Sequence, residues 1–407
     1  MPTSSISSHD QIRSEQLAKL RAGLPGVLRS NRFYRERLHD VAGWDDFERL
    51  PLTRKPELVQ DQAAAPPFGT NLSEPLGAYV RVHQTSGTSG TAPLRWLDTG
   101  QSWEWWRMLW SDHVYRAAGV TAADRVFLAF SFGPFIGFWS AFAGSERLGA
   151  LTISGGAMSS EQRVRAILDL DATVVCCTPT YALRLAEVAR SLGVDLRSSA
   201  VRVLIHAGEP GASVPATRAA IEEAWGATAY DHTGMTELGA TGHSCTARDG
   251  VHLIESEFIF ELSDEGELIA TNLGRWGMPL IRYATGDRAL PSREPCACGS
   301  PFLKLAGGIQ GRVDDMFTVR GVNLYPSQVE DIVRREPAVV EFAIEHRRRR
   351  AMDEVTLLYE AGEDVGERLT NALRLALGVR IGCRRVEPGT LPRAELKSKR
   401  LVRVAGD

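Results

Sequence analysis

Between residues 125 and 232 short apolar runs alternate with stretches of helical period. RVFLAFSF, ALTISG, TVVCCTP, VRVLIHAG and ATAYDHTG each have strand length and end in small or turn-forming residues. Between them SSEQRVRAILDL, PTYALRLAEVARSL and VPATRAAIEEAWG carry apolar residues three and four positions apart. Alternating strand and helix predicts an α/β fold, a mostly parallel sheet covered on both faces. Ligands of such sheets sit beyond the carboxyl ends of the strands. Those ends carry Phe132, the run His206-Ala207-Gly208-Glu209, and Thr233-Gly234.

After Gly250 the pattern shortens. GVHLIESEFIFEL, GELIATNLG and PLIRYATGD predict strands joined by turns, a β-rich subdomain over about 245–313. Beyond Gly311-Arg312-Val313-Asp314-Asp315 the chain restarts with DMFTVRG, a helix from Ser327, strands near 339–345 and 354–359, and a helix over 367–377. The predicted organisation is a large α/β domain over 1–313 and a small α+β domain over 314–407.

The 407 residues are 43% hydrophobic and 24% charged with a net charge of −3, values of an ordinary globular protein and not of a strongly basic nucleic-acid binder. The 20 uncharged residues after Arg125 are long enough for a bilayer. Pro134, three glycines, Ser131 and Ser140 instead fit a buried strand turning into a short helix, so no membrane association is expected. The first twenty residues lack the apolar core of a signal peptide, and the six cysteines are scattered. Both point to a cytoplasmic protein without a disulfide framework.

Candidate chemistry begins at VHQTSGTSGTAPLRW, residues 82–96. Small hydroxylated residues and glycines let backbone N–H groups crowd round a phosphate. A phosphate-loop NTPase would carry a lysine there, yet none follows until Lys304, and the only others are Lys19, Lys55, Lys397 and Lys399. Downstream come Gly208-Glu209-Pro210, then Asp231-His232-Thr233-Gly234-Met235-Thr236-Glu237 and Tyr283-Ala284-Thr285-Gly286-Asp287. After Gly311–Asp315 the last is Leu391-Pro392-Arg393-Ala394-Glu395-Leu396-Lys397.

That ordered series resembles the adenylate-forming enzymes: acyl-CoA synthetases, peptide-synthetase adenylation domains and luciferases. PFG at 67–69, TPTYALRLAE at 178–187, HAGEP at 206–210 and VRGVNLYPSQVE at 319–330 are most similar to phenylacetate–CoA ligases. The resemblance implies attack of a carboxylate on the α-phosphate of ATP, then displacement of AMP by a thiol. Thr85, Ser86, Gly87, Thr88, Ser89, Gly90 and Thr91 would hold the outer phosphates. Thr236 would donate to the α-phosphate, and Glu237 would ligate Mg²⁺, a hard cation suited to carboxylate. Asp287 would accept the ribose hydroxyls, while Gly208, Glu209, Pro210 and Asp231, with Thr233, would line the adenine.

Lys397, from the small domain, would supply the cation that the loop lacks. Arg312 and Asp314 lie at the junction, where Asp314 matches the family hinge. After the swing Arg320 and Gly321 would face the incoming thiol. Four residues depart from the family pattern: Thr233 stands where tyrosine is usual, Leu396 where glycine is usual, and Phe138 and Trp139 are bulkier than expected.

Cys245, His252, Cys296 and Cys298 offer one imidazole and three thiolates, a closed set typical of structural Zn²⁺. Phe132, Phe135, Phe138, Trp139, His206 and Ala207 would bound the acid pocket, and aromatic walls suit an aryl or arylacetic acid. The expected acceptor is coenzyme A, with Arg347–Arg350 a candidate patch for its phosphate. An acyl carrier protein is the alternative partner, and a homodimer is allowed. A phosphotransferase, which would release ADP, and a non-catalytic relative are the rival classes.

Overall fold

The computed structural model describes residues 8–85, 93–209, 211–319, 322–349, 352–393 and 400–404. The chain forms two compact units, Met1–Ala157 with His232–Ala306, and Met158–Asp231 with Gly307–Asp407.

The first unit opens with the helix His9–Ser30, whose first turn is capped by the Ser8 side chain. Its buried stripe, Ile12, Gln16, Leu20, Leu24 and Val27, recurs at helical spacing. The Gln16 amide donates to the carbonyls of Glu255 and Phe258, so this stripe is anchored by polar bonds as well as by apolar contact. Strands Tyr79–Gln84 and Arg95–Thr99 pair antiparallel and bracket the TSGTSG segment. Arg125–Leu128 and Leu151–Ser154 run parallel, joined by the helix Gly137–Leu148. That helix stops at Gly149, which takes a left-handed φ of 85°. Gly239–His243, Val251–Leu253, Phe258–Leu262, Glu267–Asn272 and Tyr283–Ser292 supply the antiparallel strands.

In the second unit, Val174–Cys177, Val203–His206 and residues 228–231 pair in parallel. Around them lie the predicted helices, now bounded as Ser160–Asp169, Pro179–Ser191 and Pro215–Trp225. Thr178 caps the second of these with its side chain, and Pro179 and Pro215 start their helices where a missing N–H costs nothing. A four-stranded sheet in the order Gly382–Val386, Met352–Ala361, Val339–Arg349, Leu401–Val404 carries the helices Pro326–Val333 and Gly366–Leu377. Phe317, Val329, Phe342, Leu357, Leu369 and Leu373 fill its core.

Several sequence expectations shift. The strand read over RVFLAFSF ends at Leu128, where the Leu128 carbonyl accepts from Gly155 and the chain turns away. GVHLIESEFIFEL is two strands, broken at 254–257. Lys304–Arg312 is an unpredicted strand despite its glycines. The strand expected near 339–345 runs on to Arg349, so Arg347 to Arg349 sit inside it. Among the described residues no helix is long and apolar enough to cross a membrane.

Candidate active site

In the first unit the hairpin is closed where Thr85 meets Leu94. Thr85 N–H donates to the Leu94 carbonyl at 2.9 Å, and Leu94 N–H returns to Thr85 Oγ1 at 3.0 Å. Ser86, Gly87, Thr88, Ser89, Gly90 and Thr91 lie outside the described residues. Behind the hairpin Asp98 and Arg275 form a fully buried pair: Nε to Oδ1 at 2.7 Å and Nη2 to Oδ2 at 3.1 Å. Trp106 Nε1 donates to the same Oδ1 at 2.9 Å. Burial alone would raise the Asp98 carboxyl, but Arg275, His83 and Trp106 outweigh it and hold Asp98 below the usual carboxylate range.

Arg275 also reaches forward. Its Nη1 donates to the Glu237 carbonyl at 2.8 Å, so the buried pair fixes the turn that carries the candidate acid. That turn, 236–238, joins the strands Thr228–Met235 and Gly239–His243. Gly239 has a φ of 106°, and a Cβ there would lie 2.6 Å from the Trp106 ring. Only glycine lets the hairpin sit this close. The Glu237 side chain is 8% exposed and pairs with Lys55 Nζ at 3.2 Å. Thr236, beside it, is half-buried. Lys55 was missed from sequence, although its rarity in an arginine-rich chain was the available signal.

Thr233 is buried, its hydroxyl 3.2 Å from that of Thr241. His232 next to it donates from Nδ1 to the Gly242 carbonyl at 2.9 Å and packs on Trp110. Burial pushes its pKa down to about 4, so the imidazole is neutral. Asp287 is half-buried and follows Gly286, with its N–H bonded to Thr285 Oγ1 at 3.0 Å. Of the aromatic residues, Phe132 and Phe135 are half-buried and Phe138 is buried at 8% exposure. Trp139 is 36% exposed, and its indole donates to the Gly133 carbonyl at 2.9 Å. Phe132 packs on Trp139 at 4.7 Å, and Phe135 on Phe138 at 5.7 Å.

In the second unit His206, the first residue of HAGE, and Asp231 are register partners of adjacent parallel strands. Gly208 takes a left-handed φ of 96°. Glu209 Oε1 accepts the Thr180 N–H at 2.9 Å in the first turn of the helix Pro179–Ser191. Asp231 is buried and accepts from Ser213 Oγ. Against both lies Gly308, where a Cβ would fall 2.4 Å from Ser213 Oγ and 3.3 Å from Asp231 Oδ2. Ser213, Gly307, Gln310, Tyr325 and Gln328 line an open cleft of about 320 Å³.

His206 is fully buried, with Nδ1 donating to the Cys177 carbonyl at 3.1 Å, and burial lowers its pKa to about 4. Ala207, after it, is half-buried. Arg312 ends the strand Lys304–Arg312, and Asp314 lies in the following turn Val313–Asp315. Pro210, Arg320, Gly321 and Lys397 lie outside the described residues.

The cysteine and histidine set meets in the first unit. The ligand atoms of Cys245, His252, Cys296 and Cys298 all lie within 4.8 Å of one another. Cys245 Sγ is 3.5 Å from Cys296 Sγ, and Cys298 Sγ is 3.4 Å from His252 Nε2. His252 Nδ1 donates to the Phe302 carbonyl at 3.2 Å, which leaves Nε2 as the atom facing the thiols. Three thiols and one oriented imidazole at these separations fit tetrahedral zinc, whose bonds run about 2.0–2.3 Å.

Comparison with known proteins adds a family model, described as the AMP-binding enzyme C-terminal domain, that matches residues 321–403. The phenylacetate-coenzyme A ligase of Thermus thermophilus is 30% identical over 437 aligned residues, which cover 95% of each chain. The crystal structure of a 2-hydroxyisobutyryl-CoA ligase in its postadenylation state, in complex with 2-HIB-AMP, superposes with a TM-score of 0.92. The two are 28% identical, over 99% of this chain and 94% of that one. The same enzyme in complex with 2-HIB-AMP and CoA, in its thioesterification state, gives 0.73 at 30% identity, over 98% and 91%.

Proposed function

The chain belongs to the phenylacetate–coenzyme A ligase family of adenylate-forming enzymes, and from that premise we propose which acid it takes and which residues do the work. The reaction is AMP-forming ligation: ATP activates a carboxylic acid to an acyl-adenylate, and coenzyme A takes the acyl group as a thioester. Bringing a carboxylate onto a polyphosphate sets two anions against each other, so positioned cations and N–H donors dominate catalysis.

In this reading Thr85 and the 86–91 segment hold the outer phosphates, and Thr236 donates to the α-phosphate. Glu237 would hold Mg²⁺, which would supply charge to the phosphates; its burial and the Arg275 bond behind it support a fixed ligand. Lys55 neutralises the Glu237 carboxylate and, with 37% of its side chain exposed, could give way to a cation there. Asp231 and the Gly208-Glu209-Pro210 turn hold the adenine, and Asp287 the ribose. Thr233 offers no ring to stack on the base, so the close walls around Asp231 carry that role. Lys397 bridges acid and α-phosphate during the first half-reaction, then withdraws with residues 314–407 about Arg312 and Asp314, and Arg320 and Gly321 meet the thiol. A relative that gives scores of 0.92 and 0.73 in two named states supports this alternation.

The acid is aromatic. The observation that carries this is the cluster Phe132, Phe135, Phe138 and Trp139, two of them half-buried and one 36% exposed, whose rings pack tilted and edge-on and offer apolar faces to an aromatic ring. His206, neutral and fully buried with its Nε2 unbonded, would offer that nitrogen as a hydrogen-bond acceptor beside Ala207. Cys245, His252, Cys296 and Cys298 would hold a structural zinc, which would tie 245–252 to 296–298.

The test is ATP–pyrophosphate exchange over aryl, arylacetic and small hydroxylated aliphatic acids, with AMP and ADP assayed in parallel. Exchange with aromatic acids and AMP release is expected. Exchange with hydroxylated aliphatic acids alone would overturn the aromatic reading. Acyl transfer to a carrier protein but not to coenzyme A would overturn the acceptor.

A further inference from the structure

Three helices of the second unit begin in different ways. Ser159 and Thr178 cap Ser160–Asp169 and Pro179–Ser191 with their own side chains. The third helix, Pro215–Trp225, follows Val214, whose side chain has no acceptor to offer. The first N–H groups of a helix have no partner within it and need one from outside. Pro215 carries no N–H, and the Ala216 N–H donates to Asp331 Oδ1 at 3.2 Å. Beside it the Thr217 hydroxyl donates to Glu330 Oε1 at 3.4 Å. Thr217 is 1% exposed and Glu330 6%, so this second bond is buried. The cap that Val214 cannot give comes from the helix Pro326–Val333, 115 positions along the chain.

Both carboxylates stand in the last turn of their own helix, whose negative end disfavours acidic groups. Arg335 pairs with Asp331, and Arg334 Nε lies 3.8 Å from Glu330 Oε1, which offsets part of that cost. The positive end of Pro215–Trp225 offsets more. Apolar packing is organised differently. The buried cluster that fills the small sheet runs from Phe317 to Leu401 and, among the described residues, takes no side chain from 158–231. An open cleft of about 320 Å³ lined by Val214, Asp331 and Arg335 flanks the joint, and a smaller one is lined by Glu187, Arg334 and Arg393. The joint between the small sheet and 158–231 therefore leans on polar contacts, of which the cap is one.

We propose that Asp331 and Glu330 are positioning residues for adenylation: they cap Pro215–Trp225 from the small sheet and hold that sheet docked on 158–231 for the first half-reaction. This rests on the reading in which residues 314–407 serve that half-reaction in one place and then withdraw. A cap supplied by a helix's own leading residue stays made wherever the small sheet lies. A cap supplied by Asp331 is made in the docked place only, so its free energy falls entirely on the balance between the two places. Val214 at the capping position leaves that balance to the other helix.

The experiment measures ATP–pyrophosphate exchange and the transfer of pre-made acyl-adenylate to coenzyme A in Asp331→Ala, Asp331→Asn, Thr217→Val, Arg335→Ala and Asp314→Pro. The readout is the ratio of transfer rate to exchange rate, which a general loss of folded protein does not move. Asp331→Ala should raise that ratio about 3–10-fold, the size of a lost cap. Asp331→Asn keeps an acceptor oxygen and should stay within about twofold of wild type. Arg335→Ala removes only the exposed partner of Asp331 and should do the same. Thr217→Val should shift the ratio in the direction of Asp331→Ala, and it carries the test if that protein fails to fold. An unchanged or lowered ratio in Asp331→Ala, or an equal rise in Asp331→Asn, overturns the proposal. Asp314→Pro tests the underlying reading, because the turn Val313–Asp315 suits proline as it stands and proline resists a change of φ there. If Asp314→Pro stops transfer and keeps exchange while Asp331→Ala leaves the ratio unmoved, only the cap role falls. If Asp314→Pro leaves transfer intact, the withdrawal of 314–407 falls first, and the proposal with it.

Discussion

The residues proposed for the chemistry are held by partners that no motif announces. Glu237 is legible from its place after Thr-Gly-Met-Thr, but the Asp98–Arg275 pair behind it is not, because the two are 177 positions apart. Removing one member of a buried pair leaves the other charge unpaired and costs about 3–5 kcal/mol. Asp98→Asn is therefore expected to lower the unfolding free energy by about that amount in urea titration; a loss below about 1 kcal/mol would mean that the pair does not support the turn. His206 and His232 are buried with pKa values near 4, below the ordinary 6.5. The unfolded chain then binds more protons than the native one below pH 6.5, so stability falls as pH drops from about 6.5 to about 4. Each imidazole contributes about 1.4 kcal/mol per pH unit in that window. His206→Gln should flatten the slope of stability against pH between 7 and 5. An unchanged slope would show that His206 is not kept neutral.

At the scale of elements, amphipathic period served best in the second unit, where Ser160–Asp169, Pro179–Ser191 and Pro215–Trp225 have clear apolar stripes and caps or prolines at their starts. It failed where backbone geometry, not side-chain pattern, makes the element. Lys304–Arg312 contains Gly307 and Gly308, both with positive φ, and so reads as a loop. The hairpin strand Tyr79–Gln84 is largely exposed and shows no alternation for the eye to find. Gly308 then explains itself by what it touches. Gly308→Ala would push on Ser213 and Asp231 and is expected to weaken ATP binding about tenfold, with KM for the acid unchanged. Equal ATP affinity, read by isothermal titration, would separate Asp231 from the nucleotide. The Cys/His set was legible as ligand types at plausible spacing, and the fold brings them within one coordination sphere. Metal analysis should find one zinc per chain, lost in Cys296→Ser with a fall in melting temperature; metal-free wild-type protein of equal stability would remove the site.

Across the whole molecule, the order of motifs identified the reaction, because an adenylate-forming enzyme needs a phosphate-holding loop, a metal ligand, a ribose carboxylate and a late lysine in that sequence. The division of the chain was less legible. Residues 158–231 and 307–407 form one compact unit, joining segments that sequence reading kept apart at 313. Contacts such as Thr217 to Glu330 bind helices more than a hundred positions distant, and composition has no signal for them. The account stands on Lys397 acting in one half-reaction only. The direct measurement is Lys397→Ala assayed twice, once by ATP–pyrophosphate exchange with an accepted aromatic acid, and once by transfer from synthetic acyl-adenylate to coenzyme A. Exchange is expected to fall by at least about a thousandfold, the scale of losing a transition-state cation, while transfer continues at the wild-type rate. Equal loss in both assays, or exchange at the wild-type rate, would contradict it.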